Sequence, residues 1–526
     1  MSRIVESRTG PSWFLIFVAC LSVPVFAQLV DRNKAPNVAN EGIARPLIGA
    51  YPSQIGDGHT GTDPNASANV MAFDPFRAIR RGRQLFQRKF SRLEGLGPIA
   101  GDGFGDIGTD LSIGAGQSDS CAGCHGRPRG AAGFGGDVVT RPDSRDAPHL
   151  FGLGLKEMLA DEITADLRAT RDAARARAIM VGSAVVRRLA SKGISYGVIR
   201  ALPNGAVDTT GVEGVDADLR VRPFFAHGGT TSIREFVVGA LRNEMGLAMA
   251  NDPVLSAAQL GPATTATGLV LNGQTDTVEK PPMDEGDIGS VEQRTALVDF
   301  LEFYLFNYFK PGTGETNVQT RIGRRVLQDI GCSSCHVANL PIRKDRRVAD
   351  VDTVFDPDRG NLNRVFATAT LQLANPESIG QPQTAKVAAM RPFVVDNIFT
   401  DLKRHDLGPN FHERNYDGTI RTEFLTAPLW GVGSTAPYGH DGRSINLTEV
   451  ILRHGGEAQA SRDAFASLGP VERRAVLAFL ESLVLFPPDD TASNLDSGDR
   501  SAPGFPQFRH GSIRLTVLFN DPSVVE

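Results

Sequence analysis

The 526-residue chain has no strong charge excess, few aromatic residues, few cysteines and no long apolar run beyond its N-terminus. Each shortage narrows what it can do. Lysine and arginine (55) nearly balance aspartate and glutamate (60), and a net charge of -5 argues against nucleic-acid binding as the main task. Past the first 27 residues no stretch is apolar enough to span a bilayer. Aromatic residues make up 7% of a chain long enough for two to four domain cores, so part of the apolar bulk has to come from something other than side chains. Methionine stops at Met390, and no histidine stands between His125 and His149. Cysteine occurs five times, and four of the five sit in two short strings.

Those strings are Cys121-Ala-Gly-Cys124-His125 and Cys332-Ser-Ser-Cys335-His336, both C-x-x-C-H. The pattern is that of c-type haem attachment: two thiols take the two vinyl groups of one porphyrin as thioethers, and the adjacent histidine reaches the iron. Two plainer readings exist. Four cysteines in two pairs suit one tetrahedral zinc ion, and a single C-x-x-C suits a redox disulfide. Neither needs a histidine after the second cysteine, and with 10 histidines in the chain both pairs would be so followed by chance only about once in 2,500 trials. Two covalently bound haem c groups are expected, held by Cys121, Cys124 and His125 and by Cys332, Cys335 and His336. High glycine (56) and proline (32) counts fit long loops wrapped around them.

Arg3 and Arg8 precede an apolar run from Trp13 to Phe26, and Val25-Phe26-Ala27 precedes Gln28, the profile of a signal peptide over residues 1–27. Haem c is attached outside the bacterial cytoplasm, so the expected location is the periplasm; Cys20 after Val18-Ala19 is a minor candidate for lipid attachment. Residues 28–70 read as an extended leader. A first haem domain is expected over 71–312, opening with a helix at Asp74-Pro75 that carries Phe76, Ile79, Phe86 and Phe90 on one side. It contains an insertion at about 155–222, with a helix to Met180 and a turn at Pro203-Asn204-Gly205, and closes with a helix from Ser290 to Tyr308. A second haem domain is expected over 313–486. There Ile322, Val326 and Ile330 lead a helix into Cys332, and Pro470 opens a last helix. Residues 487–526 are a tail. The expected fold class is mainly α: two cytochrome c-type haem domains with long loops and a small β-hairpin-containing insertion.

With no methionine after Met390, the far side of the second iron falls to His405, His412, His440, His454 or His510, unless a residue before Met390 supplies it. Family resemblance narrows the choice. Thr435-Ala436-Pro437-Tyr438-Gly439-His440-Asp441-Gly442-Arg443 resembles a segment of the bacterial di-haem cytochrome c peroxidases. The longer string from Thr426-Ala427-Pro428-Leu429-Trp430-Gly431 through His454-Gly455-Gly456-Glu457-Ala458 resembles their di-haem oxidoreductase branch. The resemblance covers roughly residues 72–486. In those peroxidases a methionine ligand follows the motif histidine by about 14 residues; the same spacing from His440 reaches His454, which implies a bis-histidine second haem of lowered potential.

Phe225-Ala226-His227-Gly228 and Asn243-Glu244-Met245-Gly246 resemble the family's peroxidatic pocket and put Glu244 on its acid–base residue. A carboxylate with a pKa raised by burial can move a proton between the oxygens of peroxide, although a helix-surface glutamate is the bland reading. Many members hold a removable histidine on this iron about eight residues before an Asn-Ala-Pro segment. Eight residues before Asp146-Ala147-Pro148 stands Val138, which implies a first haem open from the start. The family's bridging tryptophan is replaced by Ala226, leaving Trp430 or Tyr438 to carry electrons. A Ca2+ typical of the family matches Asp146 and the backbone carbonyls of Thr435 and Pro437, against a turn-capping role for Asp146.

Three functions compete. A periplasmic peroxidase would take electrons from a small donor protein, a cytochrome c or a copper protein, at the second haem and reduce H2O2 at the first. An oxygenase or oxidase would act on an organic or protein substrate with O2, as the rubber-cleaving oxygenases of similar architecture do, its pocket shaped by the insertion. A plain electron carrier would have both irons six-coordinate, with His149, His227 or Met249 reaching the first.

Overall fold

A computed structural model describes residues 67–485 apart from internal stretches, of which 91–117, 279–294 and 372–385 are the longest. The signal peptide and Cys20, nearly all of the leader, the tail, Met249, Met390 and His510 lie outside the described residues. None of the described helices is long and apolar enough to cross a membrane.

One arrangement occurs twice. In the first unit, helices Pro75–Gln87 and Thr295–Asn307 cross so closely that a Cβ on Gly82 would stand 2.1 Å from the Phe300 carbonyl oxygen. In the second, helices Val318–Asp329 and Pro470–Glu481 cross where a Cβ on Gly323 would stand 1.8 Å from the Ala475 carbonyl oxygen. Only glycine permits such an approach, so each pair is fixed at one crossing point. Ile79, Phe86, Phe300 and Tyr304 are buried at the first pair, and Leu327, Val476, Phe479 and Leu480 at the second. The first helix of each pair is followed in the chain by a C-x-x-C-H turn: the short helix Cys121–His125, capped by Ser120, and the 3-10 turn Cys332–Ser334.

The expectation of a mainly α fold is overturned. Helix accounts for well under half of the described residues, and they form eight small sheets. The insertion is a helix, Leu153–Val181, followed by a three-stranded meander of Val185–Ser191, Ile194–Ala201 and Val207–Asp208. The anticipated turn closes its second hairpin, with Gly205 N–H donating to the Leu202 carbonyl (2.9 Å). Lys192 and Gly193, both at positive φ, close the first. In the second unit Asp350–Asp356 pairs antiparallel with Gly360–Phe366, Leu340–Ile342 with Phe393–Val395, and Arg404–Asp406 with Glu423–Leu425. Long loops around a large cofactor still have to satisfy their backbone groups, and short pairings do so without a continuous sheet.

The insertion braces the two units. Glu162 and Asp166 on its helix hold Arg343, with Arg343 Nη1 2.7 Å from Asp166 Oδ1. Tyr196 donates to the Asp401 carbonyl (2.9 Å), and Asp216 holds Arg404 (2.5 Å).

Candidate di-haem site

Three histidines share one hydrogen-bonding pattern. His125 Nδ1 donates to the Pro148 carbonyl (2.7 Å), His336 Nδ1 to the Phe399 carbonyl (3.0 Å) and His454 Nδ1 to the Val450 carbonyl (2.7 Å). A carbonyl can only accept, so each ring carries a proton on Nδ1; on His336 and His454 that leaves the Nε2 lone pair for a metal, while His125 also meets the Gly133 backbone. Burial lowers the pKa of all three, that of His336 to about 4, which keeps them neutral as iron ligands must be. His454 lies close enough to His336 to depress its protonation further.

The supports of the three rings are local. Ser120 caps the Cys121–His125 turn by accepting from Gly123 N–H (3.1 Å). Asn446 caps helix Leu447–Arg453, and His454 closes it as the C-terminal cap. Phe411 meets the His454 ring edge-on at 5.3 Å, and Arg453 lies over Phe411 at 4.2 Å while pairing with Asp441 at 2.6 Å.

The other histidines are spoken for in a different way. His149 donates from Nε2 to the Trp430 carbonyl (3.1 Å) and accepts at Nδ1 from Phe151 N–H (3.3 Å), so neither nitrogen is left for the first iron. His227 stacks on Phe225 at 5.9 Å. His412 Nε2 is 2.8 Å from Asp406, and His440 Nε2 is 2.8 Å from Glu413, its ring stacked on Phe424 at 4.0 Å. His405 is gripped at both nitrogens, by Asp401 at 2.8 Å and Glu457 at 2.7 Å. Burial alone would lower its pKa, but Asp401, Cys335 and Glu457 raise it to about 11.

The cysteines argue against the two simpler readings. All four are free of disulfides, and desolvation raises Cys121 to about 12 and Cys332 to about 11, which disfavours a thiolate at the first cysteine of each pair. Among the described residues, the group of donors within 4.8 Å of one another is Cys335, Asp401 and His405, so the two C-x-x-C pairs do not converge on a single metal. Two separate porphyrins would be held by different residues, Cys121, Cys124 and His125 in one unit and Cys332, Cys335 and His336 in the other.

Glu244 stands on the last turn of helix Ile233–Met245, two residues before the cap Gly246. Its charge adds to burial in raising the Cys124 thiol's pKa. Asp146 N–H donates to the His440 carbonyl (3.1 Å), which brings Asp146 to the segment carrying Thr435 and Pro437. Ala226 meets the second unit, its carbonyl accepting from Leu425 N–H (2.8 Å). Residue-type reasoning missed Glu413, Asp401 and the double use of His149. Their partners are distant in sequence, and no short motif marks them.

The profile of the family described as "Di-haem oxidoreductase, putative peroxidase" matches residues 374–483. None of the curated proteins matches. Fourteen solved chains match; one is the hydrazine synthase of Kuenenia stuttgartiensis, in a structure pressurized with xenon, at 14% identity and a TM-score of 0.22. The match covers 36% of this chain and 56% of that one, and so weak a likeness carries neither fold nor activity. The family match, in contrast, spans His405, His440 and His454, and it supports the resemblance to the di-haem oxidoreductase branch over that segment, which lies beyond both C-x-x-C-H turns.

Proposed function

We propose that the protein is an exported, periplasmic di-haem c-type peroxidase that converts H2O2, two protons and two electrons into two water molecules. The observation that carries this is an asymmetry. The second C-x-x-C-H unit has two histidines with Nε2 left for one iron, His336 and His454, whereas His149 beside the first has both nitrogens engaged. A haem with two strong axial ligands carries electrons, and one with a vacant position accepts an oxygen species.

The chain's own groups then divide the work. His125, His336 and His454 orient the two irons. Glu244 takes and returns a proton at the first. A small donor protein, a cytochrome c or a copper protein, delivers electrons at the second. A hydrogen-bonded route joins the two proximal histidines: His125 to Pro148, His149 to Trp430, Leu429 N–H to the Ile398 carbonyl (3.1 Å), and Phe399 to His336. The buried Trp430 ring packs against Gly152 at that junction. A Ca2+ held by Asp146, Thr435 and Pro437 would pin the same seam. The insertion's contacts with Arg343, Asp401 and Arg404 favour a brace over the substrate pocket an oxygenase reading asks of it.

Electron paramagnetic resonance of the resting ferric protein tests this reading. One high-spin and one low-spin haem, with rapid peroxide-driven oxidation of reduced cytochrome c, is the expected result. Two low-spin haems would make the protein a carrier, and turnover with O2 but not peroxide would make it an oxygenase. His149→Leu should slow reoxidation of the second haem by the first in stopped-flow, with both spectra unchanged. It should also cost about 1–3 kcal/mol for the unpaired Trp430 carbonyl. An unchanged inter-haem rate would remove the route.

A further inference from the structure

His336 and His454, on opposite sides of the second haem in the reading above, hang from one continuous piece of chain. The Phe399 carbonyl supports His336, and two residues later the buried Asp401 grips His405 Nε2. His405 Nδ1 reaches across to Glu457, three residues beyond His454, and Glu457 also accepts from Asp406 N–H (2.9 Å). Gly455 N–H donates to the Leu407 carbonyl (2.9 Å), and a Cβ on Gly456 would stand 2.2 Å from the Asp406 carbonyl oxygen. The two glycines after His454 thus let the loop lie directly on residues 406–408, and Glu457 fastens it there. His405 cannot itself ligate iron, because both ring nitrogens donate to carboxylates.

We propose that His405 is a positioning residue of the second haem: with Asp401 and Glu457 it clips the His454 loop to the segment that supports His336, and thereby keeps the sixth position of that iron closed. The inference rests on His454 being the sixth ligand. Releasing the clip would open a second iron, so the clip also decides that only the first haem meets the oxidant. The link through His405 reaches the proximal side, beside Cys335. The Glu457 side chain is 55% exposed, so it can be replaced with little risk to folding.

The test compares wild type, Glu457→Ala and Glu457→Gln as full-length, two-haem proteins. The readouts are ferric spin state and binding of carbon monoxide to the fully reduced form. Glu457→Ala should lose part of the low-spin signal and gain carbon monoxide binding at the second haem. Glu457→Gln should fall between wild type and Glu457→Ala, because its one amide oxygen can still accept from His405 Nδ1 while its NH2 cannot accept from Asp406 N–H. An alanine variant that keeps the whole low-spin signal and excludes carbon monoxide from the second haem overturns the clip while leaving His454 as ligand. A wild type without a low-spin haem removes His454 and overturns both.

Discussion

Glu244→Gln should slow peroxide-driven oxidation of a reduced cytochrome by about 10²–10⁴-fold, the usual contribution of a positioned proton-transfer group. Both haem spectra should stay nearly as they were, because glutamine keeps the size of the side chain and Glu244 belongs to neither ligand set. The residue is well placed for such a measurement. Its helix is anchored at the start by the reciprocal Ser232–Glu235 capping box and stopped by Gly246 at φ 74°, so the last turn cannot drift. Its charge acts on the Cys124 thiol, which belongs to the first C-x-x-C-H turn and not the second. A glutamine variant that turns over at the wild-type rate would leave Glu244 a structural residue and move the proton chemistry elsewhere in the first unit.

Arg234→Met should destabilise the first unit by about 3–5 kcal/mol, the range for removing one partner of a buried charge pair. Arg234 lies on the Glu244 helix, and it, Asp252, Asp299 and Glu302 are all fully buried. Its guanidinium reaches Asp252 at 2.6 Å, Asp299 at 2.7 Å and Glu302 at 2.9 Å. Burial would by itself drive off the proton, but three carboxylates outweigh it and hold the group firmly charged. The carboxylates have further donors: Asp252 caps helix Pro253–Leu260, and Glu302 accepts from Thr267 Oγ1 at 2.8 Å. Without the cation, three negative charges would face one another away from water. Denaturant unfolding measures the loss, and the early transition should coincide with release of the first haem's environment. A methionine variant as stable as wild type would mean that the carboxylates take up protons at negligible cost.

Much of the site was legible in residue order because its parts are local. A thiol pair and histidine on one turn, Ile322 and Val326 along one helix with Ile330 at its C-cap, and Pro470 at a helix start need only neighbours a few residues away. His454 needed a longer reach, through the spacing from His440. The strands escaped because pairings of two or three residues, such as Glu413–Arg414 with Ile420–Arg421, carry no recognisable alternation. The pairing of Asp350–Asp356 with Gly360–Phe366 was more visible, since each run contains valine, but its place inside the second unit hid it. Charge clusters stayed out of sight for another reason. Arg234 meets Glu302 and His405 meets Glu457 only after distant segments have come together.

The helix crossings at Gly82 and Gly323 bear on how the holoprotein is made. In both units the helix that seals the cluster emerges from synthesis long after the cysteine turn it will cover. A unit whose late helix has not yet docked would leave its cysteine turn open, and a porphyrin joined to the thiols in that state would give the helix a surface to pack against. Assembly should then run from ligation to closure. A chain cut before Pro470 should still acquire haem at Cys332 and Cys335 but never seal around it, which haem staining and proteolysis of the truncated protein would reveal.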